Sequence, residues 1–136
     1  MDMKNAFLHG DLSKEIYMEK PHGFIHNSSL FYRLKKSLYG LKQAPRAWYA
    51  KMDSFLLSQK FKRCKFDPNV YMLRTHDSFL ILVLYVDDLL IIGSSALAIV
   101  AVKRAFHDRF LMMDMGPLHF FHGLEINQDA TTIKLS

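Results

Sequence analysis

The sequence of 136 residues contains few of the features that would cross-link a chain, divide it or carry it through a membrane. Its single cysteine, Cys64, cannot form a disulfide within the chain, which fits a reducing compartment. It has no low-complexity tract, repeat or clear linker, so we expect one domain or part of one. No sustained apolar segment follows Asp2 and Lys4, and no signal peptide is therefore predicted.

Acidic residues are the minority charge, with 13 Asp and Glu against 18 Lys and Arg. Half of the residues are hydrophobic, which is enough for a sizeable core and excludes a disordered chain. The basic residues cluster between aromatic ones, as in Lys35, Lys36, Tyr39, Lys42, Arg46, Trp48, Tyr49, Lys51, Lys60, Phe61, Lys62, Arg63 and Lys65. This pattern suits phosphate contacts with base or sugar stacking, and it equally suits a solvated helix face.

Histidine gives no convincing zinc pattern among its seven occurrences. His119 and His122 are three residues apart in a predicted strand, so their side chains would point to opposite faces. Metal binding through histidine is not predicted.

Two adjacent carboxylates, Asp87 and Asp88, interrupt the long apolar run 79–93. A membrane-spanning helix is disfavoured, because a central Asp costs about 2.5–3.5 kcal/mol on insertion scales. Two interpretations remain open on the residues alone: a buried hairpin with a polar turn, or a hairpin whose turn binds a metal ion. A polymerase palm presents metal ligands on a hairpin of this kind, in which an Asp-Asp turn joins two apolar strands.

Periodicity predicts an α+β fold with helices on one face of an antiparallel sheet. Pro45 suits the first turn of a helix that extends to about Gln59. Ser94 or Ser95 can cap a second helix. Strands are predicted at 16–18, 30–34, 70–73, 79–86, 89–92, 120–126 and 132–135, the last two joined around 127–130.

Six sequence blocks, in order, resemble the reverse transcriptase of copia-type long-terminal-repeat retrotransposons. The longest reads Leu-Lys-Lys-Ser-Leu-Tyr-Gly-Leu-Lys-Gln-Ala-Pro-Arg-Ala-Trp at 34–48. The others lie at 2–10, 15–24, 67–71, 85–88 and 121–126. The resemblance covers nearly the whole chain.

The resemblance implies a polymerase palm, a ferredoxin/RRM-like antiparallel sheet with helices on one face, with fingers and thumb largely missing. Residues 1–136 would form this fragment. Its parts would be a first catalytic block at 1–10, a nucleotide- and template-side block with its helix at 34–59, a catalytic hairpin at 79–93 and a primer-grip-like hairpin at 119–136.

The resemblance also implies RNA-directed DNA polymerase activity supported by two Mg²⁺ ions, which Mn²⁺ can replace. Asp2 and Asp87 would bridge the metals with Asp88 close by, and the backbone carbonyl of Met3 would be a further ligand. Carboxylates with water and phosphate are ligands that Mg²⁺ prefers.

Further roles implied by the resemblance concern the substrates. Phe7 would lie under the sugar of the incoming nucleotide, with an ordinary core phenylalanine as the alternative. The remaining predicted site residues are Tyr39, Gly40 and Lys42 on the nucleotide and template side, and Tyr85, His122 and Gly123 on the primer side.

The partners implied are an RNA or DNA template with its primer, deoxynucleoside triphosphates, and the integrase and RNase H regions of a polyprotein. We expect an intracellular, cytoplasmic location, ancestrally in virus-like particles, and no membrane association. Asp2 would sit on a fraying terminus, and Met113 replaces a lysine common in relatives. We therefore expect weak or no polymerisation by this chain alone. A non-catalytic nucleic-acid-binding remnant and a degenerate fragment without selected function are the alternatives.

Overall fold

The described part of the chain covers residues 1–21, 23, 31–121, 123–129 and 132–135 of a computed structural model. It contains two α-helices, α1 (Ala44–Ser58) and α2 (Ala96–Phe110), and a short 3₁₀ helix (Ala6–His9). Its strands are β1 (Tyr17–Met18), β2 (Tyr32–Arg33), β3 (Lys62–Arg63), β4 (Val70–Arg74), β5 (Phe79–Tyr85), β6 (Asp88–Gly93), β7 (Phe120–Phe121), β8 (Leu124–Gln128) and β9 (Ile133–Leu135).

All strand pairs described are antiparallel, and they form three sheets: β1-β2, β3-β4-β5-β6 and β7-β8-β9. The prediction of an α+β fold with antiparallel sheets is confirmed. The first predicted helix is correct to within one residue at each end.

The helices follow from the apolar periodicity of their sequences. In α1, Trp48, Met52 and Leu56 are buried at a spacing of four residues, which places them on one side of the helix. In α2, the side chain of Ser95 accepts a hydrogen bond from the backbone N–H of Ala98, as expected of an N-cap. Both predicted helix starts are therefore correct.

The four-stranded sheet has one buried and one open face. Its inner face carries Tyr71 opposite Leu82 and Leu84 opposite Leu89. These residues form one core cluster with the apolar faces of α1 and α2, so both helices cover the same side of the sheet. The outer face carries Met72, Phe79 and Ile92, each more than two fifths exposed.

The C-terminal sheet differs from the hairpin predicted there. Residues 120–126 were expected to form one strand, but Gly123, with φ of 82°, stands in a turn that separates β7 from β8. The turn expected at 127–130 begins later, because β8 continues through Gln128. Within the described residues, no helix is long and apolar enough to cross a membrane.

Candidate active site at the tip of the central hairpin

A two-residue loop joins β5 and β6. The loop and the paired residue on each side of it, residues 85–88, are here called the tip turn. Tyr85 and Asp88 are the last paired residues, and Val86 and Asp87 form the loop between them. Val86 has φ of 52°, in the left-handed region. Two-residue hairpin loops normally use Gly, Asn or Asp for a positive φ, and a β-branched side chain there is a strained choice. Asp87 and Asp88 are both exposed at this tip.

Asp2 is brought to the tip turn by backbone pairing on both of its sides. It lies opposite Asp88 on one side and Met113 on the other. The N–H of Asp2 donates to the carbonyl of Met113 at 3.0 Å, and the N–H of Met113 donates to the carbonyl of Asp2 at 2.9 Å. The expectation of a fraying Asp2 is therefore wrong, because two neighbouring segments fix its backbone.

The register places the side chains of Asp2 and Asp88 on the same face. Residues directly opposite in an antiparallel pair have Cβ atoms about 4.5–5.5 Å apart. The N–H of Met3 donates to the carbonyl of Asp87 at 3.1 Å, and the N–H of Leu89 donates to the carbonyl of Met1 at 2.9 Å, so two hydrogen bonds flank this pair. Asp2 and Asp88, from distant parts of the sequence, thus lie side by side, and a third aspartate, Asp87, directly precedes Asp88 in the turn.

A pocket of about 600 Å³ opens beside Asp87 and Asp88, and Asp2 is not among the residues that line it. Five of the predicted site residues line it together: Phe7, Tyr39, Tyr85, Asp87 and Asp88. The rings of Phe7 and Tyr39 lie 5.7 Å apart between centroids, and Tyr39 is 89% exposed. Phe7 is half-buried, packs against the core and faces the pocket as well, so both interpretations of this residue have support.

Other predicted site residues do not join this lining as far as the described residues define it. Gly40 and Lys42 are exposed beyond Tyr39, and the φ of 89° at Gly40 suits glycine. Gly123 stands in the turn of the C-terminal sheet. His122 lies outside the described residues.

Sequence reasoning missed one contact of the tip turn. The indole Nε1–H of Trp48 donates to the carbonyl of Val86 at 2.5 Å. Trp48 is only 2% exposed, so it cannot stack on a base as its place among the basic residues suggested. A second, smaller pocket of about 220 Å³ lies on the Trp48 side and shares Phe7, Tyr85 and Val86 with the first.

Part of the basic cluster is neutralised within the chain. Lys36 and Lys51 each contact Asp11, with Nζ–Oδ distances of 2.7 and 2.5 Å. Hydrogen bonds from Lys36 and then Lys51 lower the pKa of Asp11 to about 2. Because Lys36 and Lys51 are paired with Asp11, the cationic surface is smaller than the sequence suggested. Lys42 and Arg46 remain exposed.

The donor chemistry of the tip fits Mg²⁺, which takes oxygen ligands and usually binds through one or two carboxylates together with water and phosphate. The exposed carboxylates at the tip leave room for such waters and phosphates. In the residues that the structure describes, no three His, Cys, Asp or Glu side chains form a ready-made metal cage.

Comparison with known proteins decides the family. A family model for reverse transcriptase (RNA-dependent DNA polymerase) matches residues 1–136. The chain belongs to the reverse transcriptase family. It is 47% identical over 138 residues to the retrovirus-related Pol polyprotein from transposon TNT 1-94 of Nicotiana tabacum, covering 99% of this chain and 10% of that protein.

Two further relatives show the range of this reverse transcriptase family. The retrovirus-related Pol polyprotein from transposon RE2 of Arabidopsis thaliana is 37% identical over the full chain, again covering 10% of the relative. The putative transposon Ty5-1 protein of Saccharomyces cerevisiae is 33% identical over 96% of this chain and 43% of its own length. The chain thus spans about a tenth of the two plant polyproteins. No solved structure matches it.

The predicted resemblance to copia-type retrotransposon reverse transcriptases is confirmed by the family match and the plant Pol polyproteins. Reverse transcriptases use divalent metal ions and nucleic acid substrates as a family, which agrees with the oxygen donors at the tip turn.

Proposed function

We propose that this chain carries the nucleotidyl-transfer centre of an RNA-directed DNA polymerase on a palm fold. The observation that carries the proposal is the pairing of Asp2 with Asp88 at the tip turn, beside a pocket lined by Phe7 and Tyr39. The blocks 1–10, 34–59 and 79–93 would build this centre. Block 119–136 would contribute a primer-grip-like hairpin.

Asp2, Asp87 and Asp88, with the carbonyl of Met3, would hold two Mg²⁺ ions or Mn²⁺ in their place. Such a pair, when bound, stabilises the attacking and the leaving oxygen of an in-line displacement at phosphorus. The backbone pairing of Asp2 places it directly opposite Asp88, and an accurate metal site requires ligands that are fixed in this way.

The pocket residues would select and position the substrates. The half-buried ring of Phe7, which lines the pocket, would lie under the sugar of a deoxynucleotide and exclude a 2′-hydroxyl. Tyr39, Gly40 and Lys42 would lie toward the nucleotide and template. Tyr85, His122 and Gly123 would lie toward the primer.

The partners that follow are a primed RNA or DNA template, deoxynucleoside triphosphates and the remainder of a Pol polyprotein. A cytoplasmic site of action, in virus-like particles, fits these partners.

Primer extension on an RNA template with Mg²⁺ or Mn²⁺ tests the proposal. We expect Asp87→Asn to abolish extension, because it removes a metal-binding charge. Asp77→Asn is the matched control, since Asp77 is an exposed aspartate in the turn between β4 and β5. Extension that survives Asp87→Asn would contradict catalysis by this centre. We expect extension by the unmodified chain alone to be weak, and no extension by a folded sample would favour binding without catalysis, the second candidate below.

Nucleic-acid binding without catalysis is a second candidate, favoured by the exposed side chains of Lys35, Lys42 and Arg46. It predicts binding to a primer–template that weakens steeply as salt rises, because phosphate contacts release counterions. Asp87→Asn should leave that binding intact. Binding that is absent, or that does not depend on salt, would contradict this candidate.

A further inference from the structure

We propose that Trp48 is a positioning residue for the tip turn. Its indole N–H holds the carbonyl of Val86, and this contact keeps Asp87 and Asp88 oriented toward the pocket. The inference rests on the proposed function for what the turn binds. The hold on the turn itself is a property of the chain and can be tested separately.

The tip turn needs a hold from outside because its own sequence opposes its conformation. Val86 takes a left-handed φ of 52° in a two-residue loop, where a β-branched side chain is crowded against its own backbone. Such strained conformations persist only when the surrounding structure enforces them. Val86 is itself 45% exposed, so its side chain gains little from packing in return.

Trp48 is well suited to provide that hold. Its ring is fixed by an edge-on contact with Phe110, with centroids 5.6 Å apart, and by His9 at 6.0 Å. An indole has one hydrogen-bond donor and no acceptor, and a buried ring normally gives that donor a partner. Here the indole N–H of Trp48 donates to the carbonyl of Val86, the residue with the strained φ.

Two successive carbonyls of the turn are thereby fixed by two distant segments. Trp48 of α1 holds the carbonyl of Val86, and the N–H of Met3 holds the carbonyl of Asp87. The two peptide planes that flank Asp87 are set by these contacts. Asp87, which lies between these two peptide planes, lines the pocket.

The test compares Trp48→Phe with Tyr71→Phe. Each substitution removes one hydrogen-bond donor from a buried aromatic residue of the same core cluster, but Tyr71 donates to Asp53, away from the tip turn. In Trp48→Phe we expect backbone hydrogen exchange of residues 85–88 to rise about 3- to 10-fold. Mn²⁺ affinity, followed by electron paramagnetic resonance of the free ion, should fall by a similar factor. Tyr71→Phe should change neither.

A third variant separates positioning from ordinary core packing. Val86→Gly removes the strain, since glycine accepts a positive φ. In the double variant Trp48→Phe/Val86→Gly, much of the Mn²⁺ affinity lost in Trp48→Phe should return. If Trp48 only fills the core, the affinity lost in Trp48→Phe will not return in the double variant.

Two results would overturn the proposal. One is a folded Trp48→Phe protein whose tip turn exchanges at the unmodified rate. The other, which needs no variant, is rapid solvent exchange of the single indole N–H resonance in the unmodified chain. If the unmodified chain binds no Mn²⁺, the proposed function fails, while both exchange measurements still decide whether Trp48 holds the turn.

Discussion

The body and the tip of the hairpin β5–β6 follow opposite rules. In the body, leucines at positions 80, 82, 84 and 89 are buried, and the alternating residues 79, 81 and 83 of β5 face the open side. This is the alternation that an antiparallel strand with one covered face requires. At the tip, Val86 takes a conformation that suits glycine, and Asp87 and Asp88 place two like charges side by side.

The difference indicates where stability and function reside. In the body, the alternation of buried and outward-facing residues agrees with the fold. At the tip, where the carboxylates lie, Val86 has a backbone conformation that its residue type disfavours. Departures of this kind are expected at functional sites, which the rest of the structure must support. Substitutions in the body should therefore cost stability, and substitutions at the tip should cost function with little or no loss of stability.

The largest effect is expected in the body. Leu82 is fully buried, so Leu82→Ala should lower the free energy of unfolding by about 2–5 kcal/mol through lost burial and a residual cavity. Urea denaturation measures the change. Ile81→Ala is the control. Ile81 is adjacent to Leu82 in the strand but lies on the outer face, so its loss should lower the free energy of unfolding clearly less. Equal losses at the two positions would contradict the assignment of inner and outer faces.

A smaller loss of stability is expected when the hydroxyl of the buried Tyr71 is removed. The hydroxyl of Tyr71 donates to Asp53 at 2.8 Å, and Asp53 also accepts from Nε of Arg63. Tyr71→Phe should therefore lower the free energy of unfolding by about 1–2 kcal/mol at neutral pH.

The same tyrosine makes stability depend on alkaline pH. Burial, with contacts to Tyr49 and Asp53, raises the pKa of Tyr71 well above its ordinary value. The unfolded chain loses this proton above about pH 10 while the folded chain keeps it, so this contribution is complete below that pH and declines above it. Urea denaturation across this range should show a flatter alkaline decline for Tyr71→Phe than for the unmodified chain.

At the tip turn, a substitution should raise the free energy of unfolding, whereas those above lower it. Val86→Gly relieves a strained φ, and we expect it to raise the free energy of unfolding by about 1 kcal/mol, net of the greater freedom of glycine in the unfolded chain. Thermal unfolding followed by circular dichroism measures the shift. A loss of stability would mean that the Val86 side chain contributes packing that outweighs its strain.

The smallest change in stability is expected at the carboxylates. Asp87→Asn removes one of two adjacent like charges at an exposed position, so the free energy of unfolding should change by no more than about 0.5 kcal/mol. The same variant should lose any primer extension that the unmodified chain shows. Urea denaturation of the assayed sample checks the first part, and a large loss of stability would show that the tip is part of the structural core.

Sequence alone predicted the parts of the fold that depend on local periodicity. The alternating leucines of β5 and the spacing of Trp48, Met52 and Leu56 in α1 contain the information that places them. The pairing of Asp2 was missed because it depends on Met113, far away in the chain. The pairing of Lys36 and Lys51 with Asp11 was missed because these residues meet only in the folded chain.

The candidate site was likewise predictable only in part. Family resemblance named Phe7, Tyr39, Asp87 and Asp88, and the fold brings them to one pocket. Their roles remain predictions. The contact of Trp48 with Val86 had no sequence signal beyond a β-branched residue in a short turn, because helical periodicity explains a buried tryptophan without any polar partner.

The double pairing of Asp2 has a consequence for the order of folding. Residues 2 and 113 lie near opposite ends of the sequence, and bringing such distant segments together has an entropic cost that grows with the length of chain between them. Contacts of this kind are usually made late, after local hairpins and helices have formed. A partly folded chain can thus display Asp87 and Asp88 on a finished hairpin and still lack the third carboxylate, so that metal affinity would report completion of the last folding step.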